Sequence, residues 1–442
     1  MRVMKWSAIA LAVTAATAGT QLATAAAFVS DQSEAKGFIE GSSLNLKARN
    51  YYYNRDKKNG AVDDKDWTQG FWGNFSSGYT QGTVGVGVEA FGYFAIKLDG
   101  SDKYSGSGNL STDSRGRNED SFGKAGGNVK FRISKTELKI GDMQPTSPVF
   151  AVGGSRILPQ TASGISLQTS ELKGLDAEAG HFYSGTSQDE TNRNGTIWAT
   201  YAGVTAKSAD YAGGKYAITD NLGVAFYGAK LEDVWNQYYG NVNYALPLTG
   251  DQSLAFDFNI YRTDDTGSAK AGTINNTAYS GSVAYSFLAA HTLTLAFQKV
   301  NGDTPFDYIG IGDNNRGGDS IFLANSIQYS DFNGPGERSW QARYDLSMAP
   351  YGVPGLSFMT RYISGTDIDG THTPSNSTYA GLYGKDGSHH ETNLEAKYVL
   401  QSGPAKDLSF RIRQAWHRAN TDQGEGDVNE FRLIVDYPIS IL

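Results

Sequence analysis

Apolar and polar residues alternate with a period of two along most of this chain. Residues 408–417 read Leu-Ser-Phe-Arg-Ile-Arg-Gln-Ala-Trp-His, which places Phe410 and Ile412 on one parity and Arg411 and Arg413 on the other. Because the side chains of a β-strand point alternately to opposite faces, this segment predicts a strand with one apolar and one basic face. In a water-soluble sandwich the apolar face would be the core, whereas in a membrane barrel it would face lipid.

The same alternation predicts strands throughout the sequence. They span residues 44–52, 82–98, 129–140, 196–207, 222–234, 239–246, 254–262, 279–287, 292–300, 339–348, 356–364, 393–400, 408–419 and 430–439. Short turns are expected at residues 219–221, 248–251, 289–290, 349–355 and 401–407. Long polar segments lie at residues 99–126, 263–276, 302–320 and 366–391. Short turns at one rim and long loops at the other are typical of an outer-membrane barrel, and a Greek-key sandwich would not sort its loops so regularly.

The composition favours one large all-β barrel over the two or three soluble domains that 442 residues would also allow. The chain has 53 Gly but no Cys, which suits a turn-rich β-protein without disulfides. No segment after residue 25 approaches the ~18 consecutive apolar residues of a membrane helix. Aromatic residues near predicted strand ends, such as Tyr51, Tyr53 and Tyr437, are expected either at the lipid headgroups or packed in the core.

The N-terminus has the order of a cleaved secretory signal. Arg2 and Lys5 precede an apolar run at residues 8–18 and the triplet Ala-Thr-Ala at residues 23–25, so we expect cleavage after Ala25. Residues 1–25 are then the signal peptide and residues 26–442 the barrel. Removing two basic groups lowers the formal charge from −8 to −10, which argues against nucleic acid as a partner.

Several segments resemble the OprD family of Gram-negative outer-membrane porins, over essentially the whole mature chain. They are residues 27–32 (AFVSDQ), 148–150 (PVF), 156–161 (RILPQT), 170–176 (SELKGLD), 179–182 (AGHF), and most specifically 306–310 (FDYIG), 318–326 (GDSIFLANS) and 329–335 (YSDFNGP). The resemblance implies a transmembrane antiparallel barrel of about 18 strands with pore-constricting inward loops. It also implies contact with outer-membrane lipid and lipopolysaccharide, and we expect a monomer or a weak trimer.

The resemblance further implies a basic ladder along one wall of the pore, which leads carboxylates through the constriction. Parity and position predict that the basic ladder consists of Arg49, Lys130, Arg132, Arg343, Arg361, Lys397, Arg411, Arg413 and Arg432. A guanidinium stays charged and offers a planar fork of donors to a carboxylate, and a series of moderate sites lets an anion enter and leave. Inward loops are expected around Arg156 and around residues 307–326, where Asp307, Asp319 and Ser320 could supply acceptors facing the ladder.

The predicted function is passive diffusion of small carboxylates, with aromatic or cyclic ones favoured because residues 390–399 resemble that branch of the family. The alternatives are a porin for basic amino acids and small peptides and a non-selective diffusion pore. A surface adhesin would not require basic residues aligned inside a barrel.

Enzymatic and metal chemistry have little support in the sequence. The six histidines form no recognisable triad, and neither G-x-S-x-G nor H-E-x-x-H occurs. His389, His390 and Glu391 are adjacent, and three adjacent residues cannot chelate in the usual spaced geometry. We therefore expect no enzyme activity, no metal and no cofactor.

Overall fold

A computed structural model of the chain describes residues 27–100, 104–314 and 317–442. The signal peptide expected at residues 1–25 lies outside the described residues. The strands are β1 (Ser43–Lys57), β2 (Asp64–Ser76), β3 (Gly85–Asp99), β4 (Ser121–Ile133), β5 (Thr136–Met143), β6 (Thr146–Ser147), β7 (Phe150–Ala151), β8 (Thr161–Thr169), β9 (Leu175–Thr186), β10 (Ile197–Ala199), β11 (Val204–Ala206), β12 (Ala209–Ala217), β13 (Leu222–Leu231), β14 (Trp235–Pro247), β15 (Ser253–Asp265), β16 (Asn275–Phe287), β17 (His291–Asn301), β18 (Ile309–Ile311), β19 (Arg338–Ser347), β20 (Leu356–Ile368), β21 (Gly387–Val399), β22 (Ser409–Ala419) and β23 (Val428–Ser440). Two 3-10 helices, Gln32–Glu34 and Ala349–Tyr351, complete the secondary structure of the described residues.

Eighteen of these strands form one closed antiparallel barrel, which confirms the predicted fold class. Each barrel strand pairs with its neighbours in chain order, and β1 closes the ring by pairing with β23. The remaining five, β6, β7, β10, β11 and β18, are short strands within the long connections. Short turns lie at one rim, where β1 also begins and β23 ends, and the longest connections lie at the other rim.

The barrel is apolar outside and polar inside, as the alternation predicts. Phe226 and Leu295 are 66% and 61% exposed on the outer face, and Phe410 and Ile412 also point outward. Arg411 and Arg413 take the opposite parity and point into the lumen, where they meet Glu395 of the adjacent strand. This inverted arrangement suits a barrel that is surrounded by lipid and filled with water and polar side chains.

Two predicted strands are wrong, and four strands of the barrel wall were missed. Residues 129–140 form a hairpin instead of one strand, because Ser134 adopts a left-handed conformation (φ 50°) between β4 and β5. Residues 196–207 fold as β10 and β11, which pair with β18 inside a loop sheet and not in the barrel wall. The missed wall strands are β2, β8, β9 and β12, whose sequences alternate less regularly, and the short loop strands β6, β7 and β18 were not predicted either.

The long connections pack inside the barrel. Tyr51 and Tyr53 are fully buried in the lumen, in a cluster with Ile157 and Leu158, so of the two expected placements they take the packed one and not the headgroup one. Residues 144–160, called here the constriction loop, supply both aliphatic side chains. Among the described residues, no helix is long and apolar enough to cross a membrane.

Candidate functional site

Seven of the nine predicted ladder residues lie on six consecutive barrel strands, from β19 through β23 to β1. Their register brings several of them face to face. Arg343 is directly opposite Arg361, Arg411 opposite Lys397, and Arg413 opposite Arg432. Directly opposed side chains in an antiparallel pair have Cβ atoms about 5 Å apart. The basic groups therefore form a continuous stripe on one side of the lumen.

Within this stripe, four arginines share only two carboxylates. The arginine wall is defined here as Arg343, Arg361, Arg411 and Arg413. Glu395 Oε2 lies 2.8 Å from Arg411 Nη2 and 3.1 Å from Arg413 Nε. Asp345 pairs with Arg343 at 2.7 Å. The guanidinium Nε of Arg361 donates to the neutral Asn393 Oδ1 at 2.6 Å.

With four guanidinium groups and only two paired carboxylates, the arginine wall has excess positive charge. The Nε of Arg411 is buried and has no hydrogen-bond partner among the described residues. Its guanidinium side chain is nevertheless 40% exposed, and Lys397 beside it is exposed as well. An anion in the lumen can thus contact a cationic group whose donors are only partly used.

The two neighbouring ladder arginines, Arg432 and Arg49, also pair with carboxylates. Arg432 pairs with Glu430 at 2.5 Å and donates to Gln328 O at 2.9 Å. Arg49 holds Asp436 through two bonds of 2.8 and 2.9 Å. Arg49 therefore has an ionic partner of its own, whereas Glu430 also pairs with Arg55 at 2.7 Å and is shared between two arginines.

Lys130 and Arg132 lie apart from the stripe, on β4. Lys130 Nζ donates to Ser76 Oγ at 2.6 Å and lies 3.6 Å from Glu89. Arg132 is buried and bonds Gln32 Oε1 at 3.0 Å and Ser30 Oγ at 2.6 Å, which fixes the N-terminal segment against the barrel. The structure does not bring these two side chains together with the arginine wall, and their pore role stays a prediction.

Arg156 lies on the constriction loop. Its Nε donates to Ser107 O at 2.7 Å, and its guanidinium stacks over the Tyr53 ring with a centroid distance of 5.2 Å. The loop itself is tied to the wall, because Arg49 Nη1 donates to Arg156 O at 2.7 Å and Trp72 Nε1 donates to Ile157 O at 2.7 Å. A ladder arginine therefore also positions the constriction.

Asp307 lies in the second inward connection, residues 302–337, and is 3% exposed. Its oxygens accept from the backbone N–H groups of Tyr201 and Ala202, both at 2.9 Å, and from the Tyr379 hydroxyl at 2.9 Å. Burial raises the pKa of Asp307 to about 6. This carboxyl joins three loop segments and is not presented to the ladder.

Asp319 and Ser320 differ in exposure although they are adjacent. Asp319 is exposed and accepts from Gly154 N at 3.2 Å, so it lies beside the constriction loop. Ser320 is fully buried, and its hydroxyl has no partner among the described residues. Of the predicted acceptors, Asp319 is the one placed where it could meet a solute.

Sequence reasoning missed the acidic side chains that shape the lumen. Glu395 and Asp345 stand two residues from ladder positions on the same strand face, a spacing that is visible in the sequence. Glu178 on β9 is also inward-facing and is 8% exposed, and its hydrogen bonds come from neutral groups: the Tyr211 and Tyr227 hydroxyls at 3.3 and 3.1 Å and the Gln168 amide at 3.3 Å. In the ring of eighteen strands, β9 is half-way round from β21. A carboxylate thus stands across the lumen from the arginine wall.

A closed barrel with an apolar outer face, a charged lumen and inward loops defines a channel protein of outer-membrane type. A sequence model of the outer membrane porin, OprD family, matches residues 36–441. The chain belongs to the OprD family, and its place is the outer membrane of a Gram-negative bacterium.

Individual relatives agree with this assignment. The chain is 67% identical to Porin D of Pseudomonas aeruginosa over the full length of both. It superimposes on a crystal structure of Pseudomonas aeruginosa OprD with a TM-score of 0.84 and 65% identity, covering 94% of this chain and 100% of that one. For Pseudomonas aeruginosa OpdK with vanillate, the TM-score is 0.82 and the identity 33%, covering 91% of this chain and 100% of the other.

Proposed function

We propose that this porin conducts solutes that carry both a carboxylate and a positive charge, with basic amino acids and small basic peptides preferred over aromatic carboxylates. The carboxylate would contact the arginine wall, and the cationic group would face Glu178. The observation that carries this proposal is the opposition of the two charges across the lumen. Glu178 is the fourth residue of β9, and Arg411 and Arg413 are the third and fifth of β22, counted from the same rim.

The opposite charges on the two sides of the lumen distinguish this solute class from simple anions. A solute with charges of opposite sign at its two ends gains energy from both sides of the lumen, whereas benzoate gains from one side and is repelled by the other. The comparisons weaken the aromatic carboxylate reading, because the chain is only 33% identical to the vanillate-bound OpdK but 67% identical to Porin D. The aromatic carboxylate preference expected from residues 390–399 is therefore the second candidate.

Uptake into proteoliposomes tests the proposal. Labelled arginine, labelled benzoate and an uncharged sugar of similar size are compared at equal concentration, and arginine is expected to enter fastest. Faster benzoate entry would favour the aromatic carboxylate reading, and equal rates for all three solutes would indicate a non-selective pore.

Two variants separate the two sides of the lumen. Glu178→Gln is expected to slow arginine and to speed benzoate, because it removes the carboxylate that attracts the first solute and repels the second. The double variant Arg411→Ala/Arg413→Ala is expected to slow both solutes, since both carry a carboxylate that would contact the arginine wall. Arg338→Ala is the matched control, because Arg338 is 57% exposed on the outer parity and pairs with Asp367 away from the arginine wall. Retained heat-modifiable migration in gels verifies that each barrel is folded.

A further inference from the structure

Two buried histidines face each other where β21 and β22 reach the long-loop rim. The Nδ1 of His389 lies 2.9 Å from the Nε2 of His417, and the ring centroids are 5.1 Å apart. Their side chains are 1% and 0% exposed. The two residues are 28 positions apart in sequence, but neighbouring strands bring their rings together.

The other nitrogen of each ring already has an acceptor. His389 Nε2 lies 2.7 Å from Glu337 Oε1, and His417 Nδ1 lies 2.8 Å from the carbonyl oxygen of Gly426. A neutral imidazole carries one N–H, and these acceptors hold it on the outer nitrogen of each ring. The two facing nitrogens then present lone pairs to each other, an arrangement that requires either a cation or an additional proton between them.

A carboxylate completes the group. Glu425 Oε2 lies 3.5 Å from His417 Nε2 and 3.9 Å from His389 Nδ1. All three ligand atoms fall within 4.8 Å of one another. In a tetrahedral zinc site with bonds of ~2.0–2.1 Å, neighbouring ligand atoms lie about 3.3 Å apart. The three distances observed here, 2.9, 3.5 and 3.9 Å, are close to that value.

We propose that His389, His417 and Glu425 form a binding site for a zinc-class divalent ion. Two imidazole nitrogens and one carboxylate favour zinc or a similar transition metal over magnesium or calcium, which prefer oxygen ligands. Glu337 and the Gly426 carbonyl orient the rings as outer partners do in known metal sites. The Phe332 ring stacks on His389 at a centroid distance of 4.0 Å and shields it from water.

The site would connect parts of the lumen that the barrel sheet does not join. Glu425 and Gly426 lie in the connection between β22 and β23, while Phe332 and Glu337 lie in the inward connection of residues 302–337. A bound ion would therefore hold both connections against the wall at β21 and β22. The adjacent residues His390 and Glu391 are not needed, because the second imidazole comes from the next strand.

Metal titration of the purified protein in detergent tests this proposal. The protein is stripped with a chelator, exchanged into metal-free buffer and titrated calorimetrically with zinc chloride, then with magnesium and calcium chloride. One tight zinc site per chain is expected, with no comparable magnesium or calcium binding. His417→Gln and Glu425→Gln are expected to weaken zinc binding at least tenfold.

Two further variants make the result specific. Glu337→Gln touches no ligand position but is expected to weaken zinc binding about 10- to 100-fold by releasing the His389 ring. His372→Gln is the matched control, since His372 is 70% exposed on a loop beside Asp369 and is expected to leave the titration unchanged. Two results would overturn the proposal. Wild-type protein that takes up no zinc would show that a shared proton bridges the rings. Equal zinc affinity in His417→Gln and wild type would place the ion elsewhere.

Discussion

Replacing Glu395 by glutamine would remove the carboxylate that the arginine wall shares. Glu395 Oε2 contacts Arg411 and Arg413 at 2.8 and 3.1 Å, so the substitution leaves both guanidinium groups without an ionic partner. The side-chain shape is retained, and the amide oxygen can still accept a hydrogen bond. The variant therefore changes the charge of the lumen much more than its dimensions.

The expected magnitude follows from the distance between Glu395 and a passing anion. At a separation of ~7 Å, two unit charges interact by about 0.6 kcal/mol in bulk water and about 2.4 kcal/mol at an effective dielectric constant of 20. The lumen lies between these limits, and ~1 kcal/mol corresponds to an approximately fivefold rise in local anion occupancy. The effect should fade toward 1 M salt, where the screening length is ~3 Å.

Reversal potentials in planar bilayers under a salt gradient measure this change directly. Glu395→Gln is expected to move the potential toward anion selectivity at 0.1 M salt or below, where the screening length is about 10 Å or more. Asp264→Asn is the matched control, because Asp264 pairs with Arg262 at a half-exposed site away from the wall. An unchanged potential, or a shift toward cation selectivity, would refute the reasoning that the shared carboxylate limits the positive charge of the lumen.

Two other predictions concern the inward loops. A Cβ at Gly70 would lie 2.9 Å from Ile157 Cγ1, so Gly70→Val should displace the constriction loop. This displacement should alter single-channel conductance and increase proteolysis of that loop. Gly92→Val is the control, because a Cβ at Gly92 meets no atom within 4 Å, and it should change neither conductance nor proteolysis. For Asp307, the raised folded-state pKa means that the folded protein binds the proton more tightly than the unfolded chain, so local stability should fall as pH rises from about 4 to about 6. Hydrogen exchange of the amides around Asp307, corrected for intrinsic rates, should show this fall in local stability with pH in wild type and not in Asp307→Asn. A rise in local stability over the same pH range would contradict the raised pKa of Asp307.

The strand faces could be predicted from the sequence because parity is a local property. Phe410 and Ile412 required no knowledge of any other strand to be placed opposite Arg411 and Arg413. Loop lengths similarly separated the two rims. The hairpin at Ser134 was missed because its turn contains neither glycine nor proline, so no local signal interrupts the alternation.

The balance of charge in the lumen depends on register, which the sequence does not reveal. The pairing of Arg413 with Glu395 and its opposition to Arg432 are set by two separate strand alignments. Burial is equally non-local: Asp307 resembles an ordinary loop acid until the loops that supply its donors are folded around it. Period-two analysis can therefore identify which side chains enter a lumen but not which of them keep their charge available.

The seam between β1 and β23 links closure of the barrel to the ion pairing of two arginines. Arg49 meets Asp436 and Arg55 meets Glu430 only across this seam, between groups 387 and 375 residues apart in the chain. An unclosed sheet has two free edges that can pair with other chains, and it also lacks these carboxylate partners. Docking of the last strand therefore removes the final aggregation-prone edges and neutralises these arginines in the same event. The charge of the lumen is in this sense a product of completed assembly, and a barrel arrested before closure would differ from the finished porin in charge as well as in shape.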